Sequence, residues 1–262
     1  ILREENYMNK NITMLIISFL IVAVIGVMQQ STSYEQSNFG DTVVFYPQHE
    51  DDETLWAGSA ILEAIKERGA DNVYVVLVSY GTGIKVFKDE KYSNLSNQEK
   101  YEYREREFLD AVKELGVKKE NIILLPRINN SEVTSFNLME KTALDFERKF
   151  DNVTHVAHTY KYDWHLQHLK NGSTIQSLYN SGKIKHALYF IKPRYEKDLP
   201  ISEKIIYKSE TTMEKQRIKK ACMAYKIIDE KSKREGIGYK SDHKSFEDLM
   251  IKNRSILHTP NV

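Results

Sequence analysis

Hydrophobic and polar positions divide this chain into three regimes. Residues 12–28, ITMLIISFLIVAVIGVM, are apolar without a single charge; residues 29–40 are polar; from Asp41 onward short apolar runs alternate with amphipathic stretches. The first regime has the length of a signal-peptide core or a short membrane span, which needs about 17–25 residues. Lys10 precedes it and no small-x-small cleavage pattern follows it. Residues 1–28 are therefore expected to form an apolar helix serving as a signal peptide or an uncleaved signal anchor, residues 29–40 a linker, and residues 41–262 the globular domain. Met8 stands where an ordinary n-region would begin. The expected location is extracytoplasmic, either secreted or held at the cytoplasmic membrane through residues 12–28.

The third regime predicts the fold. Residues 42–46 read as a buried strand and 54–68 as a helix, with Leu55, Ile61, Leu62 and Ile65 on one side and Gly69 as its stop. Residues 72–79, rich in β-branched side chains, read as a second strand that ends in Gly81-Thr82-Gly83. After a charged, irregular stretch, 98–115 is an amphipathic helix that turns Tyr101, Phe108, Ala111, Val112 and Leu115 inward and is capped by Gly116. Strands over 121–125, 153–159 and 187–191 then alternate with helices over 134–150, 173–179 and 211–229. Such alternation predicts an α/β fold, Rossmann-like, with a mostly parallel sheet and helices on both faces. Ligands of such sheets gather beyond the carboxyl ends of the strands, at the switch in strand order. The loops after the first, second and fourth strands would then share one rim.

Charge and cysteine content narrow the chemistry. Lys+Arg of 38 against Asp+Glu of 37 leaves a net charge of +1, so no global field favours nucleic acid. Lys183, Lys185, Lys192 and Arg194 read as ordinary strand flanks. Cys222 is the one cysteine, which excludes an intramolecular disulfide and any multi-cysteine zinc site and leaves His, Asp and Glu as metal ligands.

Those residue types are concentrated at two of the three loops. His49-Glu50-Asp51-Asp52-Glu53 follows the first strand, and adjacent acids repel one another unless a cation or solvent relieves them. His49 and Asp52 are three apart, which in a turn entering a helix lets both face one point, and His165 and His168 repeat the spacing. Catalytic zinc usually takes three protein ligands of these types and leaves a position for water. Asp51 or Glu53 stands beside the set as a base. The plainer readings are an exposed acidic loop capping the next helix, a surface histidine pair, and an exposed Arg104–Glu107 ion pair worth little. His155 and His158, on a strand, read as packing residues or as supports behind the ligands, and the glycines around Thr82 as a simple turn.

PQHEDDE after the first strand, SYGTG after the second, REREFLDAVKELGV on the long helix and WHLQH after the fourth occur in the order and spacing of one family. From about Val43 to His168 the chain resembles the PIG-L (LmbE-like) zinc de-N-acetylases, which act on N-acetylglucosamine-containing substrates. The resemblance implies Zn2+ held by His49, Asp52 and His168, with Asp51 as general base. It also implies that His165 stabilises the oxyanion or protonates the amine, and that Arg104 contacts the sugar. The implied partner is an N-acetylated sugar or glycoconjugate. Glu50 stands where the family usually has proline, Thr82 where an acid is common, and Leu166-Gln167 where Pro-Asp is typical. The alternatives are a metal-dependent hydrolase of another amide or ester, and an inert sugar-binding module of the same fold. No role is assigned to Gly236-Ile237-Gly238-Tyr239.

Overall fold

The structure, a computed structural model, describes residues 37–131, 133–229 and 231–261. The apolar segment 12–28 lies outside the described residues, as do residues 29–36 of the linker. Among the described residues no helix is long and apolar enough to cross a membrane.

Seven strands form one sheet in the order β3-β2-β1-β4-β5-β9-β6. These are β1 (Thr42–Phe45), β2 (Val73–Leu77), β3 (Ile122–Leu124), β4 (Val153–His158), β5 (His186–Ile191), β6 (Lys204–Lys208) and β9 (Arg254–His258). The pairings from β3 through β5 are parallel, with Val44 opposite both Tyr74 and His155. Val43, Val44, Phe45, Val75, Val76 and Leu77 are all buried, as continuous apolar runs in a doubly covered parallel sheet must be.

The helices are α1 (Asp52–Leu55), α2 (Gly58–Arg68), α3 (Asn97–Leu115), α4 (Leu125–Asn129), α5 (Phe136–Lys149), α6 (Leu166–Asn180), α7 (Thr212–Ala224) and α8 (Ile237–Lys252). One face of the sheet packs on α2, α3, α7 and α8 through Ile61, Phe108, Val112, Ile218 and Phe246; the other packs on α5 and α6 through Met139, Phe146, Ile175 and Leu178. The helix α3 has the ends that its sequence dictates. A capping box joins Ser96 and Glu99 at its start, and Gly116 closes it in a left-handed conformation. Each large apolar side chain buried on α3 contributes roughly 1.5–3 kcal/mol, so a charge at Phe108 would cost more than any surface change.

The sheet departs from the expectation at one side. The strand β9 is antiparallel to both β5 and β6. Lys204–Lys208 begins and ends in lysine and lies at the sheet edge, where one side of a strand needs no apolar cover. The strand pattern there is correspondingly weak. The helix expected over 54–68 is broken at Trp56-Ala57, and the helix expected over 211–229 ends at Ala224, followed by a small hairpin of β7 (Ile228–Asp229) and β8 (Arg234–Glu235).

Strand order reverses at β1, which lies between β2 and β4. A crevice opens beyond the carboxyl ends of β1 and β4 for that reason. The loops that carry His49 and His168 leave the sheet there.

Candidate active site

The polypeptide leaves β1 still paired: Val78 and Ser79 donate backbone N–H groups to the carbonyls of Pro47 and Gln48. It then turns sharply. Asp51 has φ 109°, a region that side chains other than glycine rarely enter and that costs of order 1–3 kcal/mol. The N–H groups of Thr54 and Leu55 both reach the Asp51 carbonyl, so the turn is fixed by the helix start that follows.

Asp52 is the hub. Its Oδ2 accepts the His49 backbone N–H at 2.8 Å and lies 3.2 Å from His158 Nε2, 3.5 Å from His168 Nε2 and 3.6 Å from His49 Nδ1. Its Oδ1 accepts the Trp56 indole N–H at 3.1 Å. The outer hydrogen bonds assign the imidazole protons. Asp163 Oδ2 takes the Nδ1–H of His168 at 2.8 Å, and Gln167 Oε1 takes the Nε2–H of His49 at 2.8 Å. His158 Nε2 accepts the Gln48 backbone N–H at 3.1 Å. The lone pairs of His49 Nδ1 and His168 Nε2 are left facing each other at 3.3 Å beside a carboxylate oxygen. Only a proton or a cation reconciles them. Burial pulls the His168 pKa down, but Asp52 and Asp163 outweigh it and raise it, so a proton fills that role at low pH.

A metal ion fits the same three atoms. Ligands about 2.0–2.1 Å from a tetrahedral zinc stand roughly 3.3 Å apart; the triangle of His49 Nδ1, Asp52 Oδ2 and His168 Nε2 has sides of 3.3, 3.5 and 3.6 Å. Two overlapping metal-competent groups share His168 here: His49 with His165, and Asp52 with His158.

Asp51 lines the adjoining cleft of about 820 Å3, whereas Glu53 is fully buried. Glu53 accepts the hydroxyls of Thr54 at 2.6 Å and Tyr225 at 2.7 Å, and burial pushes its pKa to about 8. Of the two acids beside this triangle, Asp51 is therefore the one that faces the cleft. Burial raises Asp51, Arg104 pulls it back and the Asp52 charge pushes it up again, leaving it at about 6. His165 lines the cleft at the start of α6, where burial and the neighbouring histidines hold its pKa at about 4. At neutral pH it presents a neutral imidazole.

The Arg104–Glu107 pair is not exposed. Arg104 is 1% exposed, donating to the Glu50 carbonyl and, at 3.0 Å, to Asp51 Oδ2, with Nε 3.5 Å from Glu50 Oε2. Glu107 is fully buried and accepts the N–H groups of Ile237 at 2.7 Å and Gly238 at 2.8 Å. A Cβ at Gly81 or at Gly238 would stand 3.1 Å from the guanidinium, so these glycines are sites of close approach as well as turns. Arg104 thus holds Asp51 from behind while reaching the cleft wall. Glu50 ties this loop to the next by accepting the Gly81 N–H at 2.8 Å.

A profile of the PIG-L family, described as GlcNAc-PI de-N-acetylase, matches residues 43–179, more than half of the chain. The chain belongs to the PIG-L family. No curated protein matches it. The PIG-L fold of this chain is shared by the N,N'-diacetylchitobiose deacetylase of Pyrococcus horikoshii, at 16% identity and a TM-score of 0.52, over 87% of this chain and 84% of that one. A deacetylase of the teicoplanin biosynthetic pathway gives 14% and 0.54, over 83% and 97%. The 4-carboxy-2-hydroxymuconate hydratase of Pseudomonas putida gives 12% and 0.50, over 83% and 94%. The hydratase shows that this fold serves more than one reaction, so chemistry must be argued from the site.

Several site residues of this PIG-L domain escape sequence reading. Asp163 holds His168 and is itself met by Lys192 Nζ at 3.1 Å; Lys192, read as a strand flank, is 8% exposed. Asn171 accepts the His158 N–H and donates to the Tyr46 carbonyl and to Gln48, joining α6 to both strands of the crevice. His158 ends β4 at its carboxyl edge, and that position is the one signal that could have set it apart from His155.

Proposed function

We propose that this protein is a zinc-dependent deacetylase that hydrolyses the acetamide of an N-acetylglucosamine-containing sugar or glycoconjugate, giving free amine and acetate. The observation that carries the reading is the ligand triangle with a strained acid of pKa about 6 beside it on an open cleft. His49, Asp52 and His168 would hold the metal. Bound zinc supplies Lewis acidity and lowers the pKa of water toward ~7.

The remaining work falls to side chains. Asp51, ionised at neutral pH, takes the proton from the attacking water and can return it to the departing nitrogen. Arg104 keeps its carboxylate in place. His165 offers a neutral N–H to the carbonyl oxygen as charge develops; removing one donor of this kind costs roughly 3–4 kcal/mol. Asp163 and Gln167 fix the tautomers of His168 and His49, as hydrogen-bonded supports of metal ligands do. Backbone strain at Asp51 favours catalysis over an inert sugar-binding module, since binding alone requires no acid held in such a conformation.

The test is acetate release across a panel of N-acetylated sugars, with phosphoesters and simple esters as controls. Release from one or more N-acetylglucosamine compounds is expected. Turnover confined to the controls would move the site to another hydrolase class, and silence on all of them would leave the binding module.

A further inference from the structure

The loop between β4 and α6 is shaped by two side chains. Thr159 follows β4, is 1% exposed and donates its backbone N–H to the Phe190 carbonyl at 3.0 Å. Its hydroxyl oxygen accepts the N–H groups of Lys161 at 3.3 Å and Tyr162 at 3.2 Å, closing the turn that leads to Asp163. Asp163 Oδ1 in turn accepts the N–H groups of Trp164 at 2.7 Å and His165 at 3.0 Å, while its Oδ2 takes the Nδ1 proton of His168. The path from strand to metal ligand therefore starts from the Thr159 hydroxyl.

His258 reaches that hydroxyl from β9, two strands away in the sheet and outside residues 43–179, which the family profile matches. It is fully buried, stacked on Tyr189 at 5.2 Å, with Tyr160 and Tyr162 edge-on at 5.7 and 6.1 Å. The directions of its hydrogen bonds are fixed. The Thr259 carbonyl, 2.8 Å from Nδ1, can only accept, so Nδ1 carries the proton and Nε2 a lone pair. The Thr159 hydroxyl, 2.9 Å from Nε2, therefore donates. A hydroxyl has one proton and two lone pairs, and His258, Lys161 and Tyr162 use all three. Without an acceptor at the Nε2 position, the buried O–H would have to turn into the space of one of the two N–H groups.

We propose that Thr159 and His258 are positioning residues for the metal site, through which β9 sets the loop that carries Asp163, His165 and His168. The inference rests on the metal-site reading of His49, Asp52 and His168 and adds to it a distant part of the chain. Neither Thr159 nor His258 lines the cleft, so both act through Asp163. The Asp163 carboxylate must stay at His168 Nδ1 for the Nε2 lone pair of that histidine to face His49 and Asp52. A turn that opens at Lys161 and Tyr162 lets Asp163 drift, and the ligand triangle loosens with it.

The experiment pairs zinc affinity, from competition with a chelator, with amide hydrogen exchange of the metal-free protein. Thr159→Val removes the hydroxyl with little change of shape and should weaken zinc binding about tenfold, the lower end for supports of metal ligands. Thr159→Ser keeps the hydroxyl and should bind within about twofold of the wild type. His258→Asn keeps a donor for Thr259 and loses the acceptor for Thr159; it should weaken zinc binding as Thr159→Val does, and it decides the matter should the latter not fold. In both weakened variants exchange should quicken at Lys161, Tyr162, Trp164 and His165 ahead of the amides of β1 and β2. Phe146→Leu, a core change under α5, is the comparison: it should lower Tm by loss of packing and leave zinc affinity unchanged. Equal zinc affinity in the wild type, Thr159→Val and His258→Asn overturns the proposal, and so does quickened exchange spread evenly over the sheet. Local quickening in a protein that binds no zinc even as wild type removes the metal reading and keeps the coupling of His258 to the loop. Tight zinc binding that neither variant weakens does the reverse.

Discussion

Replacing Arg104 by methionine removes a cation from a space that holds three carboxylates. Arg104 is 1% exposed, Glu50 and Glu107 are fully buried, and the Asp51 carboxylate accepts Nη2 at 3.0 Å. Methionine has a similar length, so little volume is lost. What is lost is charge compensation, together with the hydrogen bond to the Glu50 carbonyl. Breaking a buried pair by deleting one partner costs about 3–5 kcal/mol, because the other charge stays behind unsolvated. For a chain of this size, roughly 2–4 °C of Tm accompany each kcal/mol, so a drop of about 6–20 °C is expected. Thermal and urea denaturation of Arg104→Met measure it. Adding Glu50→Gln to that variant should recover part of the loss, since one stranded carboxylate is then gone; the coupling energy read from the cycle should be about 1–3 kcal/mol. Arg104→Met within 1 kcal/mol of the wild type, with no coupling to Glu50, would refute the claim that Arg104 neutralises a buried carboxylate cluster.

Three further outcomes follow from other parts of the site and the core. Asp163→Asn takes the charge from the acceptor that orients His168 at 2.8 Å and should weaken metal binding about 10–100-fold in a competition titration with a chelator. Gly172→Ala, which in an ordinary helix interior gains about 1 kcal/mol, should instead cost roughly 1–3 kcal/mol by denaturation, because the new Cβ would stand 2.3 Å from the His158 carbonyl and 2.6 Å from Thr159 and Tyr160 backbone atoms. His258 is buried, accepts the Thr159 hydroxyl at 2.9 Å and has its pKa held down to about 4 by burial, against about 6.5 when unfolded. Unfolding therefore takes up a proton between these values, and stability is full above pH ~6.5 and falls as the pH drops toward ~4, by about 3 kcal/mol from this residue. His258→Asn should flatten the Tm profile across that window, and an unchanged acid limb would contradict the assignment.

The crevice was legible in the sequence because its chemistry is local. His49 and Asp52 lie in one turn and His165 and His168 in another, and both follow strands whose β-branched runs are plain, so topology needed only to bring two loops together. The supports were not legible, because they come from far away. Tyr225 reaches Glu53 across 172 positions, and Ile237 and Gly238 reach Glu107 across 130 and 131. An Arg-x-x-Glu spacing on a helix looks the same whether its face meets solvent or a later segment. Only the packing of α3 against α7 and α8 shows that this face is buried. The strands β6 and β9 failed to announce themselves for a related reason. One lies at an edge and starts and ends in lysine, and the other is five residues long and follows directly on a helix.

The central claim is that Asp51 acts on water beside a metal held by its neighbours. Asp51→Asn keeps the shape of the side chain and its contact with Arg104 and leaves His49, Asp52 and His168 untouched. Metal content and acetate release, measured on one preparation of that variant and of the wild type, test the claim most directly. The account predicts close to one zinc per chain in both proteins, with acetate release abolished in the variant. Undiminished release by Asp51→Asn would contradict it, and so would wild-type protein that releases acetate with no metal bound.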